Sequence, residues 1–266
     1  IITSIDNCSK FAWLSENFYQ APCIAIQNGF RLSYDSDSAD NYYCQHLFCF
    51  GEREIVDFPR LNYKVDNFYP VGSLNLSLYF DNQLSDIDPV YDLLVVSCWR
   101  GNIGYSKDVE DSMKAMRIMD EALARYLGNR NLKAAVILRS ERDSDQWVMP
   151  EIGMSEEDYY KSIYGDLIEI IDVNFNERNI YPVMMSAKAI IAGFSTTCLL
   201  EAYAMGKKVL YANFCKTTKY HVDFKPEILF DGTEGEYECF QMRLDELIDI
   251  PLDEYFSEYQ HLINYY

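Results

Sequence analysis

Apolar positions fall into short runs separated by stretches of helical period, and that alternation predicts parallel strands joined by crossover helices. Over the first eighty residues the runs predict strands at 1–5, 23–27, 46–50 and 68–71, a helix at 9–18, and a short helix before the fourth strand. The segment 33–41 is an acidic polar loop, and 81–89 (DNQLSDIDP) is acidic and ends in proline, the composition of a linker. Beyond it the alternation is cleaner. Strands are expected at 92–96, 133–138, 167–171, 188–192 and 208–211, and helices at 108–126, 155–164 and 178–185, with a fourth running from the GFSTT turn to Gly206. Ser155 and Asp158 have the spacing of a capping box at the start of one of these helices. Five strands with four intervening helices predict a doubly wound open sheet. After residue 217 the chain is acidic and aromatic, with helices expected at 236–248 and 252–265.

This pattern divides the chain into a first parallel-sheet domain over 1–80, a linker over 81–91, a second such domain over 92–216, and a helical tail over 217–266 that packs back across the domains. The chain opens as IITSIDN, already inside a strand and without an initiator Met, so the first domain is expected to be the C-terminal part of a larger one.

Composition narrows the function. At 266 residues, with 49% hydrophobic and 24% charged residues, the chain is globular and long enough to bury a core. A net charge of −19 argues against nucleic acid or an anionic membrane as the main partner, because both need basic surface. An anionic small molecule stays compatible, since helix N-termini and a few arginines make a pocket locally positive. None of the eight cysteines forms a CxxC pair, and several lie in apolar strands. They read as buried reduced thiols of a cytoplasmic protein rather than as a disulfide framework or zinc site. The sequence shows no signal peptide and no apolar run of membrane-spanning length. The three histidines lack metal spacing, and the DxD-like triplets at Asp35, Asp86 and Asp143 sit in acidic loops, so no metal and no cofactor are expected.

In an open parallel sheet the ligand lies beyond the carboxyl ends of the strands, where the connecting loops converge. Those loops are polar here, at 97–102, 139–143, 172–175, 193–197 and 213–216. Gly193, Ser195, Thr196 and Thr197 lead directly into a helix, so their hydroxyls and free N–H groups suit a phosphate. The same residues suit an ordinary helix N-cap equally well. Glu201 follows one turn later, able either to reach a ribose diol or to stand as a solvated helix carboxylate. Neither GxGxxG nor a P-loop pattern occurs, which removes support for dinucleotide enzymes and P-loop kinases. In the first domain Asp6, Gln27, Asn28, Arg31, Glu52 and Ser73 fall at or just after strand ends and are candidates to line a second cleft.

The segments SIDN, IAIQNGFR, FCFGE, PVGSLNLSLY, ILRSERD and GFSTTCLLEAYAMGKKVLYANF occur in an order that resembles bacterial surface-carbohydrate biosynthesis proteins. These are similar to the retaining Kdo transferases of the GT99 type, and more distantly to CDP-glycerol glycerophosphotransferases and bacterial sialyltransferases. The resemblance covers residues 1 to about 215 and implies a GT-B-like α/β fold of two Rossmann-like doubly wound domains, the first of them incomplete.

What it implies about function is a glycosyltransferase of surface polysaccharide, lipopolysaccharide O-antigen or capsule, most specifically a retaining, metal-independent enzyme using CMP-Kdo. A UDP- or GDP-sugar, CMP-sialic acid or CDP-glycerol as donor is the alternative, and a non-catalytic scaffold keeping the nucleotide-sugar fold is the rival from another class. The acceptor would be a glycan or lipid-linked glycan, met at the inner face of the cytoplasmic membrane beside its assembly enzymes. Donor contacts are implied at Arg139, Ser140, Gly193, Ser195, Thr196, Thr197 and Glu201, with Arg139 neutralising phosphate or a sugar-acid carboxylate. A retaining displacement needs a carboxylate nucleophile, for which Asp108 is the candidate and Asp111 the runner-up, while Asp6 and Glu52 are the general-base candidates. Gln27, Asn28, Arg31 and Ser73 would meet the acceptor. Sialyltransferases carry a His-Pro pair near the strand end where this chain has Ser140-Glu141-Arg142, so the acid for the phosphate leaving group is unassigned.

Overall fold

β-branched and aliphatic runs form the strands, and each run is buried where the next layer covers it. The computed structural model describes residues 1–6, 8–18, 20–30, 42–61, 63–80, 87–99, 107–139, 154–174, 179–194, 196–214 and 226–262. Two units result. The first contains Ile1–Ser85 and the closing Glu258–Tyr266; the second contains Asp86–Thr217 and Asp223–Ser257.

The first unit is built on a four-stranded parallel sheet of β1 (Ile2–Thr3), β2 (Ile24–Ile26), β3 (Tyr43–Cys49) and β4 (Lys64–Pro70), in the order β1-β2-β3-β4. Helix α1 (Ser9–Asn17) buries Phe11 and Ala12 in a core shared with Cys23, Ala25, Leu47 and Phe58. Helix α2 (Glu52–Asp57) follows β3, and α3 (Leu74–Phe80) follows β4. The sequence pattern did not predict α3, whose LNLSLYF has no clean apolar stripe: Leu76 and Tyr79 are buried, whereas Leu74 and Leu78 are exposed.

The second unit carries a six-stranded parallel sheet of β5 (Tyr91–Val96), β6 (Ala134–Ile137), β7 (Glu169–Ile171), β8 (Ala187–Ala192), β9 (Lys208–Asn213) and β10 (Leu229–Asp231). The spatial order is β10-β9-β8-β5-β6-β7. The chain starts at the centre with β5, winds outward through β6 and β7, then returns to the other side of β5 as β8 and winds outward again. That is the doubly wound order 3-2-1-4-5-6 counted within the unit, and it reverses between β5 and β8. The intervening helices are α4 (Lys107–Gly128), α5 (Glu156–Tyr164), α6 (Ile180–Met185) and α7 (Thr197–Ala204); α8 (Tyr237–Asp249) and α9 (Leu252–Tyr259) come after the sheet. Five strands were expected and six are found among the described residues, because β10 has only three residues and takes its register from β9.

Adjacent lysines illustrate how local sequence builds this unit. Helix α7 ends where Gly206 enters the left-handed region at φ +78°, which glycine adopts without strain. Lys207 then donates to the Met185 carbonyl at 2.6 Å, closing α6, and Lys208 donates to the Ile248 and Ile250 carbonyls at 2.8 and 2.9 Å, closing α8. Each ammonium meets the negative end of a helix, and burial lowers both pKa values.

The seven cysteines among the described residues carry free thiols. No described helix is long and apolar enough to cross a membrane.

Candidate functional site

Strands β5 and β8 pair from Tyr91↔Ala187 to Val95↔Ile191, and the chain leaves their carboxyl ends as Ser97, Cys98 and Trp99 on one side and Gly193 and Phe194 on the other. All five are buried. The Cys98 thiol donates to the Phe194 carbonyl at 3.2 Å, tying the two strand ends together at the topological switch point. Gly193 packs closely: a Cβ there would lie 2.7 Å from Met119 Cε on α4, the mobile end of that side chain. Close packing of this kind lets the backbone after β8 run low over the sheet.

Helix α7 starts immediately above. Thr196 is its N-cap, extended at φ −142° and ψ 142°, with its hydroxyl accepting from the Cys198 N–H at 3.4 Å. The Thr196 carbonyl accepts from the Leu199 N–H at 3.2 Å, and the positive end of the helix dipole lies here. Thr197, the first helical residue, is half-buried. Glu201, 7% exposed, accepts from the Tyr181 hydroxyl at 3.3 Å, so it is an ordered buried carboxylate rather than a solvated one. Desolvation, with the nearby Glu201 charge, pushes the Cys198 thiol up to about 12, which leaves it protonated and a poor nucleophile. Ser195 lies outside the described residues.

On the β6 side the sequence-predicted Arg139 occupies the first position after Leu138. Its Nη1 donates to the Trp99 carbonyl at 2.5 Å and its backbone N–H to Glu156 at 2.8 Å. Ser97 also donates to Glu156, and its own hydroxyl oxygen accepts from the Trp99 N–H at 3.2 Å. Glu156 was not among the sequence candidates, because at the first position of α5 it reads as an ordinary dipole-stabilised acid. Asp108 belongs to the first turn of α4, which follows the β5 loop, and its side chain lies outside the described set; Asp111 is half-buried on the same helix. Ser140 lies outside the described residues. Arg139 thus stands beside Trp99 at the end of β5, Gly193, Thr196 and Thr197 follow the end of β8, and Glu201 lies further along α7 against Tyr181.

Of the first-unit candidates, Asp6, Gln27 and Ser73 have side chains engaged in framework bonds. Asp6 is buried and accepts from the Asn28 N–H at 3.2 Å. Gln27 donates to the Gly29 carbonyl and to Glu54 at 3.0 and 3.2 Å, and accepts from the Phe50 N–H at 3.0 Å. Ser73 accepts from the Leu76 N–H at 3.3 Å at the head of α3. Glu52 is exposed at the start of α2, and Arg31 lies outside the described residues. Beneath them Arg53 and Glu54 are both buried; Arg53 stacks over Phe30 at 3.9 Å and pairs with Glu54 and Asp57. Burial raises the Glu54 pKa against the opposing pull of Arg53 and the Gly51 N–H.

A groove of about 820 Å³ opens elsewhere, between Lys133, Lys161, Gly165, Leu167 and Ile168. It lies at the amino ends of β6 and β7, the wrong edge of a parallel sheet for the ligand crevice. Among the described residues no group of three His, Cys, Asp or Glu side chains is placed to hold a metal ion.

No protein-family model matches the chain, and no curated protein matches it. Several solved structures are similar in arrangement. TarM is 9% identical with a TM-score of 0.49, the match covering 93% of this chain and 48% of TarM. The GtfA/B complex is 13% identical with a TM-score of 0.48, covering 95% and 51%. Sucrose-phosphate synthase from Thermosynechococcus elongatus is 10% identical with a TM-score of 0.47, covering 95% and 66%. The chain spans from about half to two thirds of their length. The likeness is one of fold arrangement.

Proposed function

We propose that the chain is a glycosyltransferase that binds a nucleotide-sugar at the switch point of its second unit. One observation carries this reading: the sheet order reverses between β5 and β8, the end of β8 leads into a threonine-capped helix N-terminus, and an arginine is held against the end of β5. Phosphate suits the N-terminus of α7, where the helix dipole favours negative charge and the Thr196 and Thr197 hydroxyls are candidate donors. The Arg139 guanidinium, held at the end of β5, adds a fixed positive charge within a protein of net charge −19. Glu201, oriented by Tyr181, is the group suited to the ribose hydroxyls.

In its most specific form the reading is a retaining, metal-independent transfer of Kdo from CMP-Kdo to a surface glycan or lipid-linked glycan, on the cytoplasmic side of the membrane. Asp108 is then the nucleophile and Asp111 its runner-up, both on the helix that begins after the β5 loop. Forming a covalent glycosyl intermediate would require the carboxylate to attack the anomeric carbon as the nucleotide phosphate leaves. UDP- and GDP-sugars and CDP-glycerol are the competing donors.

A thermal-shift panel of CMP, CDP, UDP and GDP tests the reading, since a ligand bound only by the folded state stabilises it by an amount that grows with its concentration over its Kd. A selective shift with CMP is expected. A shift with UDP or GDP alone would keep the transferase and reject Kdo, and no shift with any nucleotide at millimolar concentration would reject the transferase.

A further inference from the structure

We propose that Glu156 is a positioning residue for the anion site at the switch point, an inference that rests on the functional reading above. Glu156 is the first residue of α5 and is only 3% exposed. A carboxylate at the start of a helix ordinarily faces water; one removed from water is costly unless hydrogen bonds replace its hydration. Here Oε1 receives two donors from two different strand ends, the Ser97 hydroxyl after β5 and the Arg139 N–H after β6 at 2.8 Å.

Those two donors then converge on Trp99. Ser97 holds the Trp99 N–H at 3.2 Å, and Arg139 holds the Trp99 carbonyl through Nη1 at 2.5 Å. The indole itself is fully buried, 4.9 Å from the ring of Tyr159, which also belongs to α5. One oxygen of Glu156 therefore sets both the path of the backbone leaving β5 and the place of the Arg139 guanidinium. The neighbouring Cys98 carries that placement across to the Phe194 carbonyl at the end of β8. Glu156 touches no ligand in this scheme and acts through Arg139 and the 97–99 segment.

The role depends on the reach of an acceptor oxygen, not on charge. Glu156→Gln keeps an oxygen in the same place for both donors and removes the charge. Glu156→Asp keeps the charge and withdraws the oxygen by one methylene. Titration calorimetry of CMP, UDP and GDP against wild type and both variants separates the possibilities. Glu156→Gln is expected to bind within about threefold of wild type and Glu156→Asp about tenfold or more weakly, the equivalent of one lost hydrogen bond. Ser97→Ala, which removes one donor and leaves the carboxylate in place, is expected to weaken binding by about threefold to tenfold. It supplies the readout if Glu156→Asp does not fold.

Three results would overturn the proposal. Unchanged affinity in Glu156→Asp or Ser97→Ala, with only the melting temperature lowered, would make Glu156 a strut. A greater loss in Glu156→Gln than in Glu156→Asp would make the charge the active feature. Wild type binding none of the three nucleotides would remove the site itself and so fail the functional reading as well.

Discussion

The Cys98 thiol meets the Phe194 carbonyl at 3.2 Å, joining the ends of two strands that are ninety-six residues apart in the chain. β5 and β8 are the pair between which the strand order reverses, so this contact sits at the sheet edge where an open parallel sheet takes its ligand. Cys98→Ala removes the sulfur and its weak hydrogen bond from a buried site, and is expected to lower stability by about 1–2 kcal/mol in urea unfolding. Cys98→Ser keeps a donor and should recover part of that loss.

Gly193→Ala places a methyl 2.7 Å from Met119 Cε. Because the opposing atom is the end of a flexible side chain, the cost is expected to be about 1–2 kcal/mol rather than a loss of folding. In a Met119→Ala background the same substitution should cost distinctly less. A double-mutant cycle in urea checks the coupling; additive effects would show that Met119 is not the obstacle.

Asp120 on α4 predicts a pH dependence. Its carboxyl is fully buried, and burial raises its pKa to about 7 against the pull of the Tyr164 and Tyr159 hydroxyls, which donate at 2.7 and 2.8 Å. The unfolded chain releases this proton near pH 4 and the folded one holds it to about 7. Asp120 therefore contributes full stability below pH 4, loses it progressively from there to about pH 7, and adds no further slope above. Asp120→Asn should flatten this part of the stability profile, measured by urea unfolding across that range.

Lys208→Met leaves the Ile248 and Ile250 carbonyls without their ammonium donor at the end of α8. The expected cost is about 1–3 kcal/mol, because buried acceptors lose a charged partner. Circular dichroism during urea unfolding measures it. An unchanged midpoint would mean that water replaces the lysine without penalty.

Much of the architecture was legible because buried parallel strands are written as short continuous apolar runs. LLVV before Ser97, AAVI before Leu138 and the AIIA of β8 could hardly be read otherwise. β10 escaped because three residues, LFD, carry no period of their own and pair only because β9 is already there. The site was half legible. Thr196 and Thr197 announce themselves by their position before a helix, and Glu201 by its spacing from them. Glu156 did not, because its meaning lies in Ser97, fifty-nine residues earlier, and Arg139, seventeen residues earlier. Gln27 shows the opposite difficulty. A polar residue at a strand end looks like a ligand contact, whereas here its amide is engaged by Gly29, Phe50 and Glu54.

Hydrogen–deuterium exchange with and without saturating nucleotide tests the central claim most directly, because it reports where the ligand sits. The account predicts slowed exchange at the backbone of 97–99, 139 and 194–201, the ends of β5, β6 and β8 with the first turn of α7. Protection centred instead on Lys133 and Leu167 at the amino edge of the sheet, or no protection at all, would contradict it.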